Sequence, residues 1–257
     1  MKKMLSKSQI KLIRSLQLKK YRETEGLFIA EGKKIVEELM GSPIHIKQIL
    51  ISKSRPELVS GSHKLKHDKL VDVVEIPQEE FGKISTLTTP SGILAVCNIP
   101  KANAEQPDLK KDIVLALDDI RDPGNLGTII RIADWFDIKH IYCSEESVDA
   151  YNPKVVQASM GSIARVHVHY INLASMLQKK VEEGIQVFGA MMNGKNIYTE
   201  QVKPKGILVI GNESNGISKE VQKHINHPVC IPSYNTKGPE SLNAAIATAI
   251  LCAEFRR

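Results

Sequence analysis

The sequence predicts an α/β protein of two domains, on three observations. From Asp112 onward, short apolar runs alternate with helix-length segments. Two of those runs, Ile113–Leu117 and Ile207–Ile210, are continuously apolar, as parallel strands covered on both faces must be. Before them lies 100–111 (PKANAEQPDLKK), which is polar, has two prolines and lacks periodicity, a linker signature. The expected organisation is an N-terminal α/β domain over 1–99, a linker over 100–111 and a C-terminal parallel-sheet domain over 112–257.

Taken in order, residues 6–20 read as a helix. Ile10, Ile13 and Leu16 recur at helical spacing, with Lys7, Lys11 and Arg14 off that stripe. A short apolar run, Leu27–Ala30, precedes a helix from about Glu31 to Met40. Ile46–Ile51, Val71–Ile76 and Gly92–Ile99 are rich in Val and Ile and read as strands, and Pro77 opens a short helix over Gln78–Ile84. In the second half the expected strands are Ile113–Leu117, His140–Cys143, Val166–Tyr170, Gln186–Ala190, Ile207–Ile210 and Val229–Ile231. The expected helices there fall near Leu126–Phe136, Pro153–Ser159, Leu173–Glu183, Lys219–Ile225 and Leu242–Phe255.

Composition narrows the class. The 257 residues are 42% hydrophobic and 25% charged, ordinary for a soluble protein with a buried core. No run reaches the roughly 20 apolar residues of a membrane span, and the basic start lacks the apolar core of a secretory signal. Cys97, Cys143, Cys230 and Cys252 show no C-x-x-C spacing and read as free thiols in a reducing cytoplasm. The net charge of +6 sits in the first part of the chain, where residues 1–22 hold eight basic side chains and no acidic one. Clustered positive charge fits a nucleic-acid partner, and equally a solvated lysine-rich face. The histidine pairs His63/His67 and His167/His169 lack a third ligand of suitable spacing, so no metal is expected.

Three segments place a polar loop at the carboxyl end of a strand, where open α/β sheets bind small ligands. In Asp118–Phe136, Asn125 is a candidate helix cap, and Gly127 lies one turn before Arg131 on the same helix face. Arg131 either holds a phosphate or developing anion near the helix start, or pairs with Asp134 or Asp137 on a solvated face. In Ile207–Ser218, Gly211 permits close backbone approach, Glu213 is an acid at a strand end, and Ser218 is a candidate cap. Gly216 also reads simply as a turn residue with positive φ, and Glu213 as an exposed loop acid. In Ile231–Phe255, Ser241 is a candidate cap for a helix apolar almost all round. Asn243 is out of place in such a helix unless it caps it or its amide has a partner. Neither a G-x-G-x-x-G dinucleotide fingerprint nor a G-K-[ST] phosphate loop is present, which argues against a dehydrogenase.

Together these segments resemble the SpoU (TrmH-type) branch of the SPOUT RNA methyltransferases, whose pattern runs N-x-G-x-x-x-R-x-A, G-x-E-x-x-G and I-P…S-L-N. Here it stands as Asn125, Gly127, Arg131 and Ala133; Gly211, Glu213 and Gly216; and Ile231, Pro232, Ser241, Leu242 and Asn243. Ser15-Leu16, Lys19-Lys20-Tyr21-Arg22, Leu27–Gly32 and Gly92–Val96 resemble the family's substrate-binding domain. The resemblance implies an S-adenosylmethionine-dependent 2′-O-ribose methyltransferase acting on structured RNA. It further implies a deep trefoil knot in the C-terminal domain and a homodimer formed through that domain. Carried over by position, Gly211, Ile231 and Leu242 would hold the methyl donor, and Asn125, Arg131, Glu213, Ser241 and Asn243 would form the reaction centre. The full N-terminal domain favours 23S rRNA as substrate; a tRNA substrate, or a non-catalytic rRNA-binding protein that keeps the fold, are the alternatives. One departure stands out: Ser233–Glu240 is longer than the family's usual loop and its glycine is displaced.

Overall fold

The computed structural model describes residues 5–55, 71–100, 106–235 and 241–257. His63 and His67, residues 101–105 of the expected linker, and the displaced Gly238 lie outside them. Contacts divide the chain into two units, Met1–Lys101 with Asp149–Ala164, and Ala102–Val148 with Arg165–Arg257.

The first unit begins with α1, Lys7–Ser15, started by a capping box in which Ser6 and Gln9 each satisfy the other's backbone N–H. The single helix expected over 6–20 is two helices. α1 stops at Leu16, and α2, Lys19–Glu25, follows and closes on Gly26 in the left-handed conformation. The buried guanidinium of Arg22 ties this corner together. It donates through Nη1 to the Leu16 carbonyl at 2.9 Å, and through Nε and Nη2 to Asp149 Oδ2 at 2.8 and 2.5 Å.

Four strands follow, β1 Leu27–Glu31, β2 Ile46–Ser52, β3 Asp72–Ile76 and β4 Ile93–Asn98, in the order β1-β4-β2-β3. β4 pairs antiparallel with β1 and β2, while β2 and β3 run parallel. α3, Lys33–Met40, follows β1, and α4, Gln78–Ile84, follows β3. Ile13, Leu16, Ile29, Leu50, Ile76, Phe81 and Leu94 meet in one apolar core.

The second unit is a six-stranded, all-parallel sheet ordered β10-β8-β9-β5-β6-β7. Its strands are β5 Ile113–Leu117, β6 His140–Cys143, β7 His167–Tyr170, β8 Val187–Asn196, β9 Gly206–Ile210 and β10 His227–Cys230. Every residue of β5 and β9 is buried, as their unbroken apolar runs require. The helices are α5 Pro123–Trp135, α7 Leu173–Glu182, α8 Lys219–Gln222 and α9 Ala244–Arg256. β8 runs six residues beyond the expected Ala190, because its polar end pairs with the end of β10. Gly194 is needed there: a Cβ would fall 2.5 Å from the Val229 backbone.

One segment departs from the domain boundaries read from the sequence. Asp149–Ala164, with helix α6 Pro153–Ser159, leaves the sheet after β6, belongs by its contacts to the first unit, and returns to form β7. Tyr151 lies against Phe28 with ring centroids 4.8 Å apart, Asp149 meets Arg22, and Val155 and Val156 are buried. Partners for these groups lie far back along the chain, which is why contiguity alone placed them with the second domain.

Burial pushes the Cys97 and Cys252 thiols up to about 12 and Cys143 higher still, so these three remain protonated, poor nucleophiles. No helix among the described residues is long and apolar enough to cross a membrane. At the β6–β7 edge, His140, His167 and His169 cluster, with His140 Nδ1 3.2 Å from His169 Nε2. Desolvation, then the neighbouring imidazoles, lower the pKa of both His140 and His169 below the ordinary 6.5. Since the unfolded chain binds these protons more readily, stability is fully present above about pH 6.5 and falls as pH drops through the lowered folded values. Urea midpoints at pH 7.5 and pH 5 are expected to show this loss, and His169→Gln should flatten it. An equal slope in the variant would exclude the cluster as its source.

Candidate active site

β5 and β9 are neighbours in the middle of the sheet, so the loops leaving their carboxyl ends meet. Asp118 N–H donates to the Ile210 carbonyl at 2.9 Å, and the buried Asp118 carboxylate accepts from Ser218 N–H at 2.7 Å. The far end of the 211–218 loop is thus clamped to the end of β5. Inside the loop, Asn212 and Gly216 exchange backbone hydrogen bonds at 3.0 and 2.8 Å. Asn212 Oδ1 accepts from the N–H groups of Ser214 and Asn215, and its Nδ2 donates to the Asp119 carbonyl at 2.8 Å. Gly216 has φ +65°, the turn conformation read for it from sequence. The result is a closed turn that presents Glu213.

Gly211 is required first by the loop itself. A Cβ there would lie 2.3 Å from the Gly216 carbonyl carbon and 2.4 Å from Ile217 N, so the space above it belongs to the loop's own backbone. Gly211→Ala must therefore displace backbone, and a loss of about 1–3 kcal/mol in urea denaturation is expected. An unchanged midpoint would contradict this packing.

α5 starts one turn earlier than its expected cap. Asp122 is the N-cap, accepting from Asn125 N–H at 2.8 Å, and Pro123 takes the first helical position. That leaves the Asn125 side chain free for other partners. Its Nδ2 donates to Glu213 Oε1 in a very short contact, and its Oδ1 accepts from Asn243 Nδ2 at 2.9 Å. Asn243 in turn caps α9, its Oδ1 accepting from Ala245 and Ile246 N–H at 3.0 and 3.2 Å. The cap expected of Ser241 is thus made by Asn243, whose amide has the partner it needs. The three loops are joined by one directional relay, from Asn243 through Asn125 to Glu213.

The relay is held by two helices lying side by side. α5 and α9 start together at the Asn125–Asn243 hydrogen bond. They end together where Arg256 donates to the carbonyls of Phe136 and Asp137 at 2.9 and 3.2 Å. They therefore run parallel, with a cation against the carboxyl end of α5, where the helix dipole favours it.

Arg131 is exposed on α5. Neither acid considered as its surface partner engages it: Asp134 accepts from Arg165 Nε and Nη2 at 3.0 and 2.8 Å, and Asp137 pairs with Lys139. Among the described residues Arg131 has no ion-pair partner. Ser241 is exposed and makes no side-chain hydrogen bond among those residues; Leu242 is 43% exposed and Ile231 half-buried. Geometry therefore joins Asn125, Glu213 and Asn243 directly, while Ser241, Leu242 and Ile231 flank them along the chain. Sequence reasoning missed Asp118, Asn212 and Asp122, which build the loops. The doublet Asp118-Asp119 and an Asn directly after a strand-end Gly were the available signals. Among the described residues, no group of three or more His, Cys, Asp or Glu converges as a metal site.

Residues 112–253 match the SpoU rRNA Methylase family model, and residues 7–95 match the MRM3-like substrate binding domain. The chain belongs to the SpoU rRNA methylase family. This SpoU member is 29% identical over 252 residues to the 23S rRNA (guanosine(2553)-2′-O)-methyltransferase RlmP of Bacillus subtilis, covering 96% of each chain. Its structure superposes on a putative RNA methyltransferase of the TrmH family from Porphyromonas gingivalis with TM-score 0.85 and 40% identity, over 98% of both chains. An AdoMet-bound rRNA methyltransferase from Sinorhizobium meliloti aligns with TM-score 0.80 and 28% identity, over 99% of this chain and 97% of that one. The α/β class, the parallel C-terminal sheet and the N-terminal substrate-binding domain expected from sequence are those of this SpoU family member.

Proposed function

We propose that this protein transfers a methyl group from S-adenosylmethionine to a ribose 2′-hydroxyl of structured RNA, with 23S rRNA favoured over tRNA. The carrying observation is the relay Asn243–Asn125–Glu213, which brings all three family motifs to one point at the carboxyl end of the sheet. RlmP, similar over nearly its whole length, supports the rRNA preference.

The residues present fit the donor. Ile231 and Leu242 offer apolar surface to a purine, and the strand-end backbone from Gly211 offers hydrogen-bonding groups, as flat, largely apolar ligands require. When bound, S-adenosylmethionine supplies an activated methyl on a sulfonium. The protein must align the ribose oxygen with that methyl and remove the hydroxyl proton. Arg131 grips the RNA phosphate and stabilises the forming alkoxide, since a delocalised guanidinium does not give up its proton readily and is a poor base. Asn125, Glu213 and Asn243 fix the loops, and Ser241 orients the substrate beside them. The proton passes to a phosphate oxygen or to water.

We also infer a cytoplasmic homodimer formed through the C-terminal unit. Trp135 on α5 and Ile246 on α9, 85% and 53% exposed, support an apolar contact there. The family's trefoil knot belongs to the same reading; the parallel sheet order and the return of α9 beside α5 are consistent with it. Calorimetry with S-adenosylmethionine tests the donor. Mapping ribose methylation in RNA from cells with and without the gene tests the substrate. Absence of binding would favour a non-catalytic rRNA-binding protein instead.

A further inference from the structure

We propose that Tyr234 is a stacking platform for the base of the nucleotide whose ribose is methylated. The inference rests on the function proposed above and adds to it a positioning residue outside the family motifs. The chain leaves β10 at Ile231 and reaches Tyr234 three residues later, a span of at most about 11 Å even when fully extended. It re-enters at Asn243, whose amide donates to Asn125 at 2.9 Å. The loop carrying Tyr234 therefore runs from the carboxyl end of an edge strand of the same parallel sheet to the candidate active site.

Local structure holds the ring outward. Ser233 Oγ donates to the Asn235 carbonyl at 3.2 Å and accepts from Asn235 N–H at 3.4 Å, closing a small turn with Tyr234 at its apex. The side chain is 90% exposed, above the 85% of Trp135 and every other exposed large hydrophobic among the described residues. Exposure alone is common and carries no function. Here it meets a chemical need. Glu213, Asn125, Asn243 and Arg131 offer hydrogen bonds and charge, suited to ribose and phosphate, and none offers a flat apolar face. Single-stranded RNA bases are gripped by stacking on aromatic rings. Because methyl transfer requires an aligned oxygen, methyl and sulfur, a base held on one face fixes the sugar it carries.

The test uses the full chain, tritiated S-adenosylmethionine and total RNA from cells lacking the gene. Tyr234→Ala should raise the KM for RNA by about tenfold, the size of one lost base–aromatic stack, with donor affinity by calorimetry unchanged. Tyr234→Phe and Tyr234→Trp should keep the wild-type KM, because the ring and not the hydroxyl acts. An unchanged KM in Tyr234→Ala, a Phe variant as impaired as Ala, or a loss of donor affinity would each overturn the proposal. A wild-type chain that neither binds the donor nor methylates this RNA would overturn the functional reading and Tyr234 with it. An active wild type with an indifferent alanine variant overturns Tyr234 alone.

Discussion

Arg131→Ala is expected to lower methyl transfer by about 10²–10³-fold, the usual cost of removing one preorganised group that meets charge developing in the transition state. The structure gives the reason for so large an effect. Arg131 is exposed, and the acids within one or two turns of it are already taken by Arg165 and Lys139. Its charge is not spent on a surface pair and stays available to an RNA phosphate. Arg131→Lys keeps the charge and loses the planar fork, so an intermediate rate is expected, with a raised KM for RNA. Donor affinity, which the proposed function assigns to residues after β9 and β10, should not change. The decisive measurement is the pH–rate profile of the lysine variant. If lysine restores most activity at raised pH while RNA affinity is untouched, then residue 131 is the base and phosphate gripping is excluded.

The largest effect on stability is expected from Arg22→Ala. Arg22 is 2% exposed, and its guanidinium serves both the Asp149 carboxylate and the carbonyl that ends α1. Truncation leaves the Asp149 carboxylate with only the Tyr151 N–H as donor and without its cation, and the Leu16 carbonyl loses the donor it has from Arg22. Breaking a buried pair in this way costs about 3–5 kcal/mol. Differential scanning calorimetry should register a melting temperature lower by roughly 10 °C. Replacing both partners by apolar residues, Arg22→Met with Asp149→Leu, should be milder than Arg22→Ala alone, because no charge is then stranded. A single variant within about 1 kcal/mol of wild type would mean that water already satisfies Asp149.

Most strands were legible in the sequence, because a buried parallel strand has few ways to be written. Ile113–Leu117 and Ile207–Ile210 are apolar throughout and are the two central strands. The break between α1 and α2 was not legible, since Leu16 continues the apolar stripe of Ile10 and Ile13 straight through it. The end of β8 was hidden because Asn193, Gly194 and Lys195 look like a turn, and only pairing with β10 makes them a strand. At the candidate site, the residue types were readable and their partners were not. Asn125 and Asp122 are both good caps. Which one caps α5 depends on Glu213, 88 residues away, drawing Asn125 into the relay. Gly211 shows the same limit. A glycine after a strand signals close approach, without saying whether the visitor is a ligand or the chain's own next turn.

The excursion of Asp149–Ala164 has a practical corollary for dissecting the protein. Cutting at residue 101 does not liberate two self-sufficient halves. A fragment ending there would lack Asp149, Tyr151 and α6, stranding Arg22 and baring Phe28. The complementary piece would trail a helix whose Val155 and Val156 have lost their cover. Grafting the first unit onto another enzyme therefore means transplanting two stretches of polypeptide, and a swap that moves only the first should yield an insoluble product.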